Sequence, residues 1–498
     1  MSISDLPAEL LNAVALQMTL DNKKNLRATS KVLSLALDPH VLTHIVLDCR
    51  PPLSQKVLGQ LEDIPKSPRA SLVRSLVIYE FHTDWPRFLQ ASSQASPGAH
   101  PLMISSRVRW CIAAQSSSLA PAAIINGLRT LACLKHLSVL PSASAQVMVP
   151  FHHLRDLHSI SISIPAAPTH WQQTLECVVR PLTQAVINSP NLDTLKVFHD
   201  SDGWHRLRGI GPQYPCFPRL LERIPHAAAP LRLKHLVLYN DIDALHLGDC
   251  APHLTALVSL EVGPDVIRPY QPRTPPPDVR LLRTITSLCA AQAFPRRLRV
   301  PWEWALAPAL PAYLTAHPGL AQLSLATAQA YKVSDEGDDN SAGVFYGDVL
   351  PRHAETLTHL SVQPGVAGPW AFTAASAPGI AACTRLAALS VAINVPPAHA
   401  GLSHSERNAQ VETVVKILLD TALRLPALRV LTITLAPPPD GRAGFSAGAA
   451  RFSAWLMSTC TAIEWCRAVP ASRGALEIRV HDIVYDLDRG HGIRRRGS

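Results

Sequence analysis

The chain has 498 residues, 47% of them apolar, a formal net charge of +9, and 44 prolines against 23 glycines. This length and apolar content exclude a disordered protein and allow one large or several ordinary domains, while the prolines favour many short elements separated by rigid turns. No apolar run approaches the roughly 18 residues needed to cross a bilayer, and no basic segment with an apolar core opens the chain, so the expectation is no membrane partner and a cytoplasmic or nuclear location.

Residues 1–48 read as a compact set of short helices. Asp5 can cap the first, and Pro7 suits its first turn, because a proline there removes only an amide hydrogen that would be unpaired anyway. Glu9 lies near the positive end of the helix dipole. Leu10, Leu11, Val14 and Met18 share one stripe, since steps of three and four return to the same face. A second helical run after Asp21 repeats Leu26, Leu33 and Leu37 at helical spacing, and Pro39 is expected to close it. About 40 to 50 residues of short helices bury too little surface to stand alone, so either a partner or the rest of the chain must complete the stripe.

The run Leu6-Pro7-x-Glu9-Leu10-Leu11, followed by Leu26-Arg27-x-Thr29-Ser30-Lys31-x-Leu33, then Pro39 and Ile45-x-Leu47-Asp48, resembles an F-box, in particular the form found in many fungal proteins. The resemblance covers about a tenth of the chain. It implies a helical module that docks onto the Skp adaptor, and through it a cullin, in a Skp–cullin–F-box ubiquitin ligase, with the remaining chain selecting a target protein. The adaptor-binding residues so implied are Leu6, Pro7, Glu9, Leu10, Leu11, Leu26, Arg27, Thr29, Ser30 and Leu33.

After a proline-containing connection over residues 49–68, a six-residue template recurs. It begins with Val73-x-x-Leu76-x-Ile78 and Leu134-x-x-Leu137-x-Val139, and its other central positions are Ile160, Leu195, Leu236, Leu260, Leu323, Leu360, Leu389 and Leu431. In a strand, alternate residues point to opposite faces, so the last two apolar positions face inward and the residue between them faces out. The first leucine anchors the turn into the strand. Helical segments lie between copies, such as Leu175 to Ile187 and Val411 to Leu425.

One strand and one helix per unit is the leucine-rich-repeat plan, although the spacing is irregular and widest from Leu76 to Leu137 and from Leu260 to Leu323. Leu298-x-Val300 is a candidate degenerate copy in the second interval. A doubly wound sheet is the alternative, and a shared proline-x-leucine lead-in at Pro190, Pro318 and Pro426 favours true repeats. The expected class is therefore α/β: a small all-α F-box-like module (1–48), a connection (49–68), an irregular leucine-rich-repeat-like α/β solenoid (69–485) and a basic flexible tail (486–498). The outward strand positions Ser138, Ser161, Lys196, Ser324, Ser361, Ser390 and Thr432 are candidates for binding a protein target, and ordinary solvated strand residues are the alternative.

Chemistry leaves little trace. Arg268 to Asp278 is a proline-rich loop, and the acidic segment Ser334 to Ser341 lacks the order of a calcium loop, so a solvated turn is expected there. Gly444-Phe445-Ser446-Ala447-Gly448 matches the GxSxG of hydrolases, with Asp482 and His491 following in the required order, but no strand is expected directly before it. No phosphate loop, HExxH or CxxC occurs, so no cofactor and no metal are expected, and the ten cysteines read as reduced thiols, mostly buried. Dispersed arginines with few aromatics argue against nucleic acid. No catalytic residue is expected, and the alternatives kept open are a non-ligase repeat scaffold and a serine hydrolase using Ser446.

Overall fold

The computed structural model describes residues 6–41, 44–48, 75–79, 107–112, 135–141, 151–164, 179–199, 230–239, 250–263, 291–301, 309–317, 319–326, 338–364, 367–394, 403–436, 445–464, 475–488 and 492–496, with a few isolated positions between them. The chain divides into two compact units, Met1–Asp241 with Pro252–Leu254 and Ile242–Ala251 with Thr255–Ser498. The division falls inside the segment read from sequence as one repeat domain.

The first unit opens with three helices. α1 (Ala8–Gln17) starts directly after Pro7, whose carbonyl accepts the amides of Leu10 and Leu11; Asp5 lies outside the described residues. α2 (Leu20–Thr29) is capped by Thr19, whose Oγ1 accepts the Asn22 amide at 3.4 Å. The single helical run expected after Asp21 is broken at Ser30, which is extended and whose Oγ accepts the Leu33 amide at 3.1 Å to start α3 (Lys31–Val41). A hydroxyl that satisfies a free amide makes a new helix start favourable at this position. α3 also runs through Pro39, which does not close it; in the last turn a proline removes a single ladder hydrogen bond.

Residues 44–48, read as the end of the helical module, form strand β1 (His44–Asp48). It is followed by β2 (Ser75–Tyr79), β3 (Arg107–Ile112), β4 (His136–Pro141), β5 (Ser159–Ile164), β6 (Thr194–His199) and β7 (His235–Tyr239), each parallel to the next in chain order. Leu76, Val108, Leu137, Ile160, Leu195 and Leu236 occupy one row of the register. β3 fills the wide interval after Leu76. It escaped the template because its row residue is Val108 and Ser105 stands where the leading leucine would be. α4 (Arg180–Ile187) precedes β6 and buries Leu182, Ala185 and Val186.

The second unit repeats this arrangement. β8 (Ser259–Val262), β9 (Arg297–Val300), β10 (Gln322–Ala326), β11 (His359–Gln363), β12 (Ala388–Ile393), β13 (Val430–Leu435) and β14 (Leu476–Val480) pair in parallel, in chain order. Leu260, Leu298, Leu323, Leu360, Leu389, Leu431 and Ile478 share a row, so the degenerate copy at Leu298 is a real strand. Within neither unit does the strand order reverse, as it would at the switch point of a doubly wound sheet. The unit ends with β15 (Ile483–Asp488) and β16 (Gly492–Arg496), both antiparallel to their neighbours. The segment expected to be a flexible tail is thus a paired strand, because Asp486 and Glu477 give Arg496 ion-pair partners.

Successive strands are joined by the same hydrogen-bond device. The carbonyl just before one strand accepts two amides at the start of the next. Lys135 accepts from His158 and Ser159, His158 from Asp193 and Thr194, and Asp193 from Lys234 and His235. In the second unit Arg296 accepts from Ala321 and Gln322, Ala321 from Thr358 and His359, Thr358 from Ala387 and Ala388, and Ala387 from Arg429 and Val430. The device repeats at equivalent places through main-chain atoms, and at Ala321 the Thr358 hydroxyl adds a third bond to the same carbonyl at 2.9 Å.

The template residues behave as their spacing requires. Leu157, Leu192, Leu233, Leu257, Leu320, Leu357, Leu386 and Leu428 are buried, as are the paired inward positions of β7, β8 and β10. The shared lead-in holds only in part: Leu192 and Leu428 donate to the carbonyls of Ser189 and Leu425, whereas Gly319 takes a left-handed φ of 88°.

Helices described in the second unit include α5 (Ala309–Ala316), α6 (Asp338–Val344), α7 (Ala377–Ala382), α8 (His404–Arg424) and α9 (Phe445–Glu464). α6 starts inside the acidic segment expected as a loop, and it continues through a π-helical turn (Phe345–Val349) that buries Phe345, Tyr346 and Val349. Residues 268–278 and 334–337 lie outside the described residues.

Candidate functional site

The three helices close a core of their own. Leu11 and Ala15 from α1 meet Leu33, Leu37 and Val41 from α3, with Leu6, Leu26 and Ala36 packed at the margin. Arg27 Nε donates to the buried Asp38 carboxylate at 2.5 Å, tying α2 to α3, and Asn12 Oδ1 lies 3.1 Å from His40 Nε2, tying α1 to α3. Full burial of a leucine or valine contributes about 1.5–3 kcal/mol, so this small core depends on each of its five buried members.

The ten residues implied as adaptor-binding therefore separate by position. Leu11 and Leu33 are buried, at 4% and 2% exposure, and belong to the core. Arg27 is held by Asp38, Thr29 Oγ1 donates to the Leu26 carbonyl at 2.7 Å, and the Ser30 hydroxyl caps α3; these three act within the module. Leu6 and Leu26 sit half-buried at the core margin, while Pro7, Glu9 and Leu10 are exposed. Leu10 is 52% exposed and Val14, one turn on, 39%.

Sequence reasoning put Leu10 and Leu11 on one stripe, but adjacent helical residues are about 100° apart, and the core takes Leu11 with Ala15 instead. Three further apolar side chains are exposed and were missed: Leu16 at 70%, Val32 at 55% and Leu35 at 60%. Val32 and Leu35 could have been found as the apolar residues left over once the Leu33–Leu37–Val41 stripe of α3 is assigned inward, and Leu16 likewise once Leu11 and Ala15 are assigned inward in α1.

The outward strand positions fall into one row in each unit. In the first, Ser138, Ser161, Lys196 and Val237 are register partners, with Arg109 before them. In the second the row runs Glu261, Arg299, Ser324, Ser361, Ser390, Thr432 and Arg479. Ser324, Ser361, Ser390 and Thr432 are all half-buried, and the Ser390 hydroxyl accepts from Gln363 Nε2 at 3.1 Å. Glu261 and Arg299 pair at 3.1 Å across β8 and β9. A second outward row of the first unit brings Phe198 and Tyr239 together, ring centroids 5.2 Å apart.

The remaining candidates do not assemble. Ser446 is the second residue of α9, Asp482 is exposed in the two-residue turn between β14 and β15 with its carboxylate on His481, and His491 lies outside the described residues. Among the described residues no group of three His, Cys, Asp or Glu side chains is placed to hold a metal, and no helix is long and apolar enough to cross a membrane. Cys289, Cys383 and Cys460 are free thiols; Cys250 and Cys383 are buried, and burial pushes the Cys383 thiol up to about 12. Comparison with protein-family models finds no match, and neither does comparison with curated proteins.

Proposed function

We propose that this chain is the substrate-recognition subunit of a Skp–cullin–F-box ubiquitin ligase. The observation that carries the reading is that the helical module already fills its own core and still exposes Leu10, Val14, Leu16, Val32 and Leu35. Apolar side chains left outside a satisfied core are available to an adaptor, and they occur in the segment whose order resembles an F-box. Pro7, Glu9 and Leu10 extend that surface at the start of α1.

In this reading the in-register strands and their helices form an irregular leucine-rich-repeat-like solenoid, supported by the repeated carbonyl device and by the unreversed strand order. The solenoid offers a face to a target protein, and the rows of Ser138, Ser161 and Lys196 and of Ser324, Ser361, Ser390 and Thr432 lie on the outward side of the strands. The chain itself bridges, in cytoplasm or nucleus, and ubiquitin transfer occurs elsewhere in the complex.

The test is co-purification of the full chain with the Skp adaptor. Leu10→Asp with Val14→Asp should abolish it while the fold is retained, and a wild-type chain that fails to retain the adaptor overturns the reading. A second reading, a repeat scaffold whose helices cap the solenoid, draws support from β1 following α3 directly and pairing with β2. It predicts no adaptor binding and loss of solenoid stability when residues 1–41 are removed.

A further inference from the structure

β16 is the last strand in the sheet order, and its register with β15 sets Arg494 opposite Asp486 and Arg496 opposite Val484. Two acidic residues of this end, Asp486 and Glu477, are already taken. Asp486 receives Arg496, Nε to Oδ2 at 2.8 Å, and Glu477 receives both Arg479 and Arg496. These guanidinium bonds hold both carboxyls below the usual carboxylate range. Asp486 is thus spent on Arg496 rather than on the residue facing it. Arg494 and Arg495 are left exposed, with no ion-pair partner among the described residues.

We propose that the outer edge of β16, which carries no further strand among the described residues, is a docking site for an extended acidic polypeptide segment, which adds to it as a further strand. The main chain of an added strand pairs with the edge, and side chains at alternate positions reach opposite faces. Arg494 and Arg495 are adjacent and so stand on opposite faces. The segment that satisfies both carries two adjacent acidic residues. A second copy of this chain is disfavoured as the occupant, because edge-to-edge pairing of two β16 strands sets arginine against arginine. Charged edge strands also serve simply to deter association. The docking reading differs in predicting selectivity for acid and dependence on the incoming backbone.

The test is fluorescence anisotropy of a fluorescein-labelled peptide, two adjacent acidic residues flanked by valine and threonine, with the full-length protein. Saturable binding is expected, weakened about tenfold or more in an Arg494→Glu, Arg495→Glu variant. Because Arg494→Glu sets a carboxylate opposite Asp486, an Arg494→Gln, Arg495→Gln variant is measured beside it; both residues are exposed and unpaired, so this neutral variant should melt like the wild type and should also bind more weakly. A lysine-for-acid peptide, and the acidic peptide N-methylated at alternate residues, should not bind. No binding by the acidic peptide, unchanged affinity in either variant, equal binding of the N-methylated peptide, or tighter binding of a single-stranded oligonucleotide of the same charge each overturns the proposal.

Discussion

The imidazoles of His317 and His353 meet edge to face with ring centroids 5.9 Å apart, each buried and each linked to backbone of an earlier segment. His317 Nε2 lies 2.9 Å from the Pro295 carbonyl and His353 Nε2 2.9 Å from the Leu314 carbonyl. A carbonyl only accepts, so Nε2 carries the proton in both rings. Nδ1 of each ring is buried without a hydrogen-bond partner. Phe294 and Tyr313 close the surroundings of His317.

This pair makes stability depend on acid. Burial lowers the His317 pKa to about 4 from 6.5 and lowers that of His353, with Arg352 adding repulsion at the second ring. Because the folded values lie below the unfolded ones, the unfolded chain binds protons first, and the contribution to stability is complete above pH 6.5 and lost as pH falls toward 4. Discounted for solvent, the loss is on the order of 1–2 kcal/mol. Thermal melts across this range should show it, and His317→Phe should flatten the dependence. A melting temperature equally pH-sensitive in that variant contradicts the assignment.

Gly379 is required by packing. A Cβ added there would lie 1.9 Å from the Tyr346 carbonyl oxygen, at the π-helical turn against which α7 packs. Gly379→Ala should therefore destabilise by about 3 kcal/mol through overpacking. Gly343, in α6, has nothing within 4 Å of such a Cβ, so Gly343→Ala should stabilise by about 0.5–1 kcal/mol. Chemical denaturation of the two variants checks the contrast in sign.

Adjacent leucines of α1 should respond oppositely. Leu11→Ala opens the core and should cost about 2–5 kcal/mol, whereas Leu10→Ala removes an exposed side chain and should change stability by less than about 0.5 kcal/mol. A double substitution at both positions would confuse adaptor docking with unfolding of the module. Urea unfolding of the single variants separates the two effects.

Ser403 and Glu406 form a reciprocal cap at the start of α8. The Ser403 amide donates to Glu406 at 2.7 Å, and the Ser403 hydroxyl accepts the Glu406 amide at 3.2 Å. Ser403→Ala should lower stability by about 1 kcal/mol, and hydrogen exchange should quicken first in the opening turn of the helix. Unchanged exchange there would show that the cap does not hold the helix end.

How much could be read from residue order follows from the range of each interaction. Alternation within six residues is a local property, and it located eleven of the strands, including Leu298-x-Val300. β3 and β14 were not read as copies, because β3 has no leading leucine and β14 runs Leu476-Glu477-Ile478, where the leading leucine is displaced. Ser30 as a helix start and Pro39 inside α3 were not anticipated, since a cap depends on where a hydroxyl points rather than on spacing.

By itself, the order of residues determined that the chain is α/β, that its strands share one template, and that its first residues are helical. Only the tertiary structure decided which residues of that helical segment are core and which are surface, because Leu10 and Leu11 are equally apolar and packing against Leu33, Leu37 and Val41 of α3 chooses between them. The same holds at the other end. Arg494, Arg495 and Arg496 are identical in sequence terms; the register sets Arg494 opposite Asp486, yet it is Arg496 that reaches Asp486 and Glu477, which leaves the other two exposed.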